Sequence, residues 1–244
     1  MKPMIDINSD MGEIQELLDN GIYAAMLPYV TSINIACGGH AGDDEMMTAM
    51  VLLAKEHGIN IGAHPSYPDR EHFGRRAMIM TSAGIAETVA EQILRLQNIA
   101  KKNGCALTHV KPHGALYNTA VNDAGVAAAT GAGVQSVNEY LPLVGLAEAN
   151  MLTVWKKMGL ESIGEGFADR TYESDGTLRS REFDDALITD PEIAAQQAVH
   201  MAKNETITAV NGTELNITVK TICIHSDTPN AAAISKSVHT ALLA

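Results

Sequence analysis

Short β-branched runs alternate with longer helical stretches along the whole of this 244-residue chain, and this alternation narrows the fold more than any other feature. Seven runs read as strands: Met4–Asn8, Ser32–Ala36, Asn60–Ala63, Leu107–Lys111, Leu143–Leu146, Ser162–Glu165 and Thr218–Ile224. Helices lie between them. Asp43 caps one that runs through His57, with Asp44 and Glu45 in its first turn and Gly58 just past its end. Thr81 or Ser82 opens another that Gly104 closes. Its Ile85, Val89, Ile93, Leu96 and Ala100 fall on one apolar face. Asp190-Pro191 combines a cap with proline at the first helical position. The Gly- and Ala-rich stretch 123–139 reads as helix. Residues 206–210 and 214–219, around Asn211-Gly212, read as a hairpin with a type I′ turn.

Strand–helix alternation predicts a parallel sheet with helices outside it. No Gly-rich loop follows the first strand and no GxxxxGK[ST] occurs, so neither a dinucleotide-binding fold nor a P-loop is expected. The expected class is α/β: a single (β/α) barrel over residues 1–244 with seven or eight strands, carrying the hairpin near 206–219. Hydrophobic residues at 46% supply a core, and aromatics at 4% make it an aliphatic one. A formal charge of −12 argues against a nucleic-acid partner. No run approaches the ~18 apolar residues of a spanning helix, and the N-terminus turns acidic too early for a secretory segment. Cys37, Cys105 and Cys223 lack close spacing and read as reduced thiols. A cytoplasmic protein without membrane contact is expected.

In such barrels the active site lies at the C-terminal ends of the strands. Asp10 and Glu13 follow the first strand, and Cys37-Gly38-Gly39-His40 the second. His64 and Asp69 follow the third, Lys111 and His113 the fourth. Glu165, Asp169 and Arg170 follow the sixth, His225 and Asp227 the seventh. Only the fifth is bland. Alternation along a strand puts Asp6, Asn8 and Asp10 on one face, and likewise His109 with Lys111 and His113, and Cys223 with His225 and Asp227. Polar groups are therefore expected to fill the barrel and climb towards its mouth. A single histidine is by default structural. It is the convergence of Asp10, His40, His64, Lys111, His113, Glu165 and His225 that points to function. Asp6 and His109 lie deeper and are expected to be structural, and Cys37 a small buried side chain. His57, His72, His200 and His239 are expected at the surface without partners. Six of the seven arginines fall in 70–76 and 170–181, two loops that follow strand ends. Their planar forks suit an anionic ligand, although salt bridges to Asp69, Glu71, Glu173 and Asp175 would use them equally well.

The segments DINSDMGE (6–13), NIACGGHAGDD (34–44), IGAHPSYPDREHFGRR (61–76), HVKPHGALYN (109–118), EGFADRTYESDGTLRSR (165–181) and ICIHSDTP (222–229) resemble the LamB/YcsF family, whose members include the A subunit of bacterial 5-oxoprolinase. They are spread from the first strand to the last. The resemblance implies a seven-stranded barrel of the glycoside hydrolase/deacetylase type. It also implies ATP-dependent opening of 5-oxo-L-proline to L-glutamate, with ATP as co-substrate and subunits B and C as partners. Gly39, Ser226 and Ser9 depart from residues common at those positions in the family, namely Phe, Gly and Cys. None of these departures removes an ionisable group.

The expected catalytic set is Asp10, Glu13, Lys111, His113, Glu165 and His225. Asp10 or Glu165 would activate water, and Lys111 with His113 would stabilise developing charge. The expected substrate-binding set is Asn34, His64, Arg75, Asp169, Arg170 and Asp227. Two other readings stand beside this one. Asp10, His40 and His64 could hold a divalent metal in a metal-dependent deacetylase or hydrolase. Alternatively the chain could bind 5-oxoproline without acting on it and pass it to its partners.

Overall fold

In the computed structural model, residues 5–243 are described, and the outward faces of their strands are aliphatic while the inward faces are polar. Six parallel strands come first: β1 (Asp6–Met11), β2 (Ser32–Ala36), β3 (Asn60–His64), β4 (Leu107–Val110), β5 (Leu143–Leu146) and β6 (Ser162–Phe167). A small antiparallel hairpin follows, β7 (Ile207–Thr208) with β8 (Glu214–Leu215), and then a seventh parallel strand, β9 (Thr221–Cys223). β9 pairs with both β6 and β1, which closes the barrel in chain order.

Around it lie α1 (Gln15–Asp19), α2 (Ile22–Met26), α3 (Asp44–His57), α4 (Ser82–Lys102), α5 (Gly114–Asn122), α6 (Ala124–Val137), α7 (Asn150–Lys157), α8 (Pro191–Ala202) and α9 (Ala231–Leu243). Side-chain caps start four of them. Asp43 accepts from Met46 N–H, Thr81 from Gly84 N–H, Asp123 from Gly125 and Val126, and Asp190 from Glu192 and Ile193. The apolar core is the layer between barrel and helices. There Ile7, Ile33, Ile35 and Ile61 meet Met46, Met47 and Met50 of α3 and Val89, Ile93 and Leu96 of α4.

The barrel interior is filled by hydrogen-bonded polar side chains. Asp6 accepts from Thr31, Ser32 and Thr221 at the bottom. Above it, Asn8 donates to Thr221 Oγ1 at 2.7 Å and accepts from Asn34 at 2.8 Å; Asn34 Oδ1 in turn meets His109 Nε2 at 2.7 Å. Asp6 and His109 thus hold the interior together, as expected. Burial lowers the pKa of His109 to about 4. An unpaired group at this depth would cost ~1–3 kcal/mol, so these strands tolerate polar residues only as a linked set.

Several boundaries differ from the sequence reading. β1 runs through Met11, so Asp10 lies inside the strand; Met4 is outside the described residues. β6 continues to Phe167, while β9 is confined to Thr221–Cys223. The hairpin exists, but its turn is not type I′, because Asn211 does not have positive φ. Gly212 N–H instead closes on Ala209 C=O at 2.9 Å, with Gly212 at φ 86°, the pattern of a three-residue loop.

Candidate active site

Lys111 lies one residue beyond β4, and its ammonium group sits in the floor of the cavity at the barrel mouth. Nζ is 3.0 Å from Asp10 Oδ1, 3.0 Å from Glu165 Oε2 and 3.1 Å from Cys223 Sγ. Burial works against the lysine charge. The facing Asp10, Cys223 and Glu165 outweigh it and hold its pKa well above the ordinary value. Burial likewise pushes Asp10 upward, but His64 and Lys111 outweigh that and keep it an anion. For Glu165 burial prevails and the pKa is raised. Its Oε1 and the Tyr117 hydroxyl are both buried without a hydrogen-bond partner.

A second group surrounds Glu13. Its Oε1 is 2.9 Å from His40 Nε2, 3.1 Å from His113 Nδ1 and 3.7 Å from His64 Nε2. His40 stacks on His113 with ring centroids 3.6 Å apart. Burial lowers the pKa of His40 to about 3. For His64, burial is outweighed by Asp10 and Glu13, and its pKa is raised. The donor atoms of Glu13, His40, His64 and His113 all lie within 4.8 Å of one another, close enough to share a metal ion. Asp10 lies beside this group, 3.4 Å from His64 Nε2, and belongs to a second such cluster with Cys223 and His225. Of the expected metal set, His40 and His64 fall in the first cluster and Asp10 in the second.

The third element is a dyad. Asp169 is fully buried and accepts from His225 N–H at 2.9 Å and from Thr228 at 2.6 Å; its Oδ1 is 3.0 Å from His225 Nδ1. Burial raises the Asp169 pKa, but the opposing pull of His225 and its hydrogen bonds leaves it lowered. His225 stacks on Phe167, and its Nε2 faces Asp10 Oδ2 at 3.9 Å.

These groups meet at one cavity of about 580 Å3. Asp10, Glu13, His64, Lys111, His113 and His225 line its depth, and Arg75, Arg170, Arg179, Arg181 and Asp227 its rim. Arg75 and Arg181 both bind Asp227, at 2.6 and 3.0 Å. Arg170 is buried and clamps the loop after β6 through the carbonyls of Ala186 and Arg179; burial lowers its pKa to about 10.

Four expected site residues do not line the cavity, His40 beside Glu13 among them. Asn34 is fully buried beneath it and spends its amide on Asn8, Asp10 and His109. Asp169 stands behind His225. Glu165 lies under Lys111, away from the cavity surface. Of the remaining arginines, Arg70 binds the carbonyls of Gly38 and Gly42. Tyr117, Phe167, Arg179 and Arg181 line the cavity without being individually marked by the sequence, although the two arginines belong to a loop that is. His57 and His200 are exposed as expected. His72 instead contacts Asp69 at 2.9 Å, and His239 packs partly buried against Tyr29. Cys37 is buried, and burial pushes its pKa up to about 12. At the departing positions, Ser226 donates to Asp10 C=O at 2.6 Å and Ser9 to Ile224 C=O at 2.6 Å, tying β1 to the β9 end. A Cβ at Gly39 would collide with Gln92 and Ser66, so the larger residue does not fit here without other changes.

A closed parallel barrel with an acid, imidazole and ammonium cluster at its C-terminal mouth defines an α/β-barrel protein with an enzyme-like site. The sequence profile that matches residues 5–244 then makes the chain a member of the LamB/YcsF family. It is 46% identical over 229 residues to the 5-oxoprolinase A subunit of Chloroflexus aggregans, covering 94% of this chain and 91% of that one. Identity to the 5-oxoprolinase A subunit of Methylococcus capsulatus is 43% over 244 residues, covering 100% and 94%. The crystal structure of the lactam utilization protein from Thermus thermophilus superposes with a TM-score of 0.90 at 38% identity, covering 98% of this chain and 96% of that one.

Proposed function

We propose that the chain is the A subunit of an ATP-dependent 5-oxoprolinase, a hydrolase that opens 5-oxo-L-proline to L-glutamate with partner subunits B and C. The names of its relatives support the substrate and the assembly. The observation that carries the chemistry is the Asp169-oriented His225 facing Asp10 beside the buried Lys111 cation.

A five-membered lactam is resonance-stabilised and recloses intramolecularly, so opening it requires coupling to a favourable step. Transfer of the terminal phosphoryl group of ATP to the amide oxygen releases ADP and leaves an electrophilic ring carbon. With Nδ1–H held by Asp169, His225 presents its Nε2 lone pair to the cavity and takes a proton from the attacking water. When the C–N bond of the adduct breaks, that proton goes to the departing nitrogen. An acyl phosphate remains, and a second water hydrolyses it to glutamate and phosphate. Expulsion of phosphate from the adduct would only regenerate the lactam. Lys111 faces the oxygen on which charge develops, and the rim arginines hold the substrate carboxylate and the phosphoryl group.

ATP is assigned to the complex, because this chain has no P-loop sequence. Three free cysteines suit a cytoplasmic setting. No helix among the described residues is long and apolar enough to cross a membrane.

The test reconstitutes the chain with its two partner subunits and follows glutamate release with and without ATP. Release should require all components, and His225→Ala should lower it roughly 10²-fold or more with assembly intact. Undiminished release by that variant would remove His225 from the reaction.

A further inference from the structure

We infer that His64, His113 and Glu13, with His40 as a fourth donor, form a binding site for one divalent transition-metal ion of the zinc type. Hydrogen bonds to backbone carbonyls fix two of the tautomers. His64 Nδ1 lies 2.7 Å from the Lys111 carbonyl, and a carbonyl only accepts, so Nδ1 carries the hydrogen and Nε2 offers a lone pair. His113 Nε2 lies 2.9 Å from the Phe73 carbonyl, so its lone pair is on Nδ1. The two lone pairs face each other at 3.0 Å, with Glu13 Oε1, a third acceptor, 3.1 Å from one and 3.7 Å from the other. Three acceptors thus converge with no donor between them.

Their spacing fits an ion. The triangle with edges of 3.0, 3.1 and 3.7 Å has a circumradius of about 1.9 Å. That is just inside the zinc–nitrogen distance of about 2.1 Å, so one ion can reach all three atoms. Carbonyls that grip the outer ring nitrogens are how ligating histidines are usually aimed. The Phe73 carbonyl is delivered by a turn in which both Phe73 (φ 56°) and Gly74 (φ 64°) are left-handed. A Cβ at Gly74 would lie 2.8 Å from His40 Cβ and 2.9 Å from His113 Cδ2. Strain of this kind persists where the surroundings require it. His40 Nε2 lies 2.9 Å from Glu13 Oε1, which only accepts, so in the metal-free state Nε2 carries the hydrogen; because its Nδ1 is buried without a partner, the proton can move there and free Nε2 as the fourth donor. Imidazole and carboxylate donors without thiolate favour Zn2+ and its first-row neighbours over Mg2+ or Ca2+. Glu13, His64 and His113 line the cavity, so an ion held there would act as a Lewis acid towards a bound ligand.

The competing arrangement places an extra proton between the two rings and takes up no metal. The full-length chain, produced without a polyhistidine tag and stripped with chelator, is titrated with Zn2+ by calorimetry and with Co2+ by visible absorption. One equivalent should bind, with a visible Co2+ band and a higher melting temperature. His64→Gln, His113→Gln and Glu13→Gln should each weaken binding by roughly tenfold or more, while His200→Ala on the exposed face of α8 should bind as the parent does. No saturable uptake by the parent, or unchanged uptake by folded His64→Gln and Glu13→Gln, would overturn the inference. Uptake is read on the isolated chain without any ring-opening assay, so its failure and that of the proposed reaction are separate results.

Discussion

At the scale of single residues, the floor of the site is a charge-balance problem. Lys111 is 2% exposed and stands between the Asp10 and Glu165 carboxylates. Removing one partner of a buried ionic set leaves the others uncompensated, which costs about 3–5 kcal/mol. Lys111→Met should therefore lower the urea unfolding free energy by about that amount; a change below ~1 kcal/mol would mean the charges are already relieved by water. Glu165 shows what a linear reading misses. Its position at a strand end marks it as reactive, but which neighbour occupies it depends on Lys111, which is distant in sequence and 3.0 Å away in space. The same applies to Asp169, whose carboxylate faces inward onto His225 rather than towards a ligand. The Asp169 pKa lies below its ordinary 3.8, so its contribution to stability is present above about pH 4 and is lost as the pH falls through the folded value. Asp169→Asn should be less stable than the parent at about pH 6, and the gap in urea midpoint should narrow towards about pH 3. A gap that stays constant would show that Asp169 does not titrate differently in the folded state.

At the scale of elements, caps decide which helices are legible. The four helices that the sequence marks, α3, α4, α6 and α8, start with an Asp or Thr side chain bonded to the first turn. Helices α1, α2, α5 and α7 have no such bond at their N-caps, and the sequence marks none of them. They form because tertiary packing supplies what a local signal does not: α5 buries Leu116 and Tyr117, and α7 buries Met151 and Trp155. Asp123 carries the start of the Gly- and Ala-rich α6, whose small side chains offer little else to define its first turn. Asp123→Ala should cost about 1 kcal/mol by urea denaturation, and no measurable loss would show that packing against α4 alone holds that end. The hairpin turn departs from its sequence reading for a related reason. Asn-Gly favours type I′, but the register Thr208↔Glu214 leaves room for a longer loop.

At the scale of the whole molecule, the barrel is legible because six of the seven parallel strands repeat one rule, aliphatic outward, polar inward, reactive at the C-terminal end, while the apolar β5 keeps only the strand pattern. The same rule, applied to the sequence alone, gathers Asp10, His40, His64, Lys111, His113, Glu165 and His225; Asp10, His64, Lys111, His113 and His225 line one cavity together with Glu13, while His40 and Glu165 lie behind its surface. It cannot say which of these groups neutralise one another, since closure of β9 onto β1 brings together residues from opposite ends of the chain. Under the proposed function the chain supplies the lactam site and ATP turnover is assigned to the assembly, since this sequence carries no P-loop motif. The isolated chain should show negligible 5-oxoproline-dependent ATPase, and robust turnover by it alone would refute that division of labour. The most direct test of the account is the rate of 5-oxoproline-dependent glutamate formation by the complex carrying His225→Gln, with assembly verified by gel filtration. The account predicts a fall of roughly 10²-fold or more in an intact complex; a rate near that of the parent would contradict it.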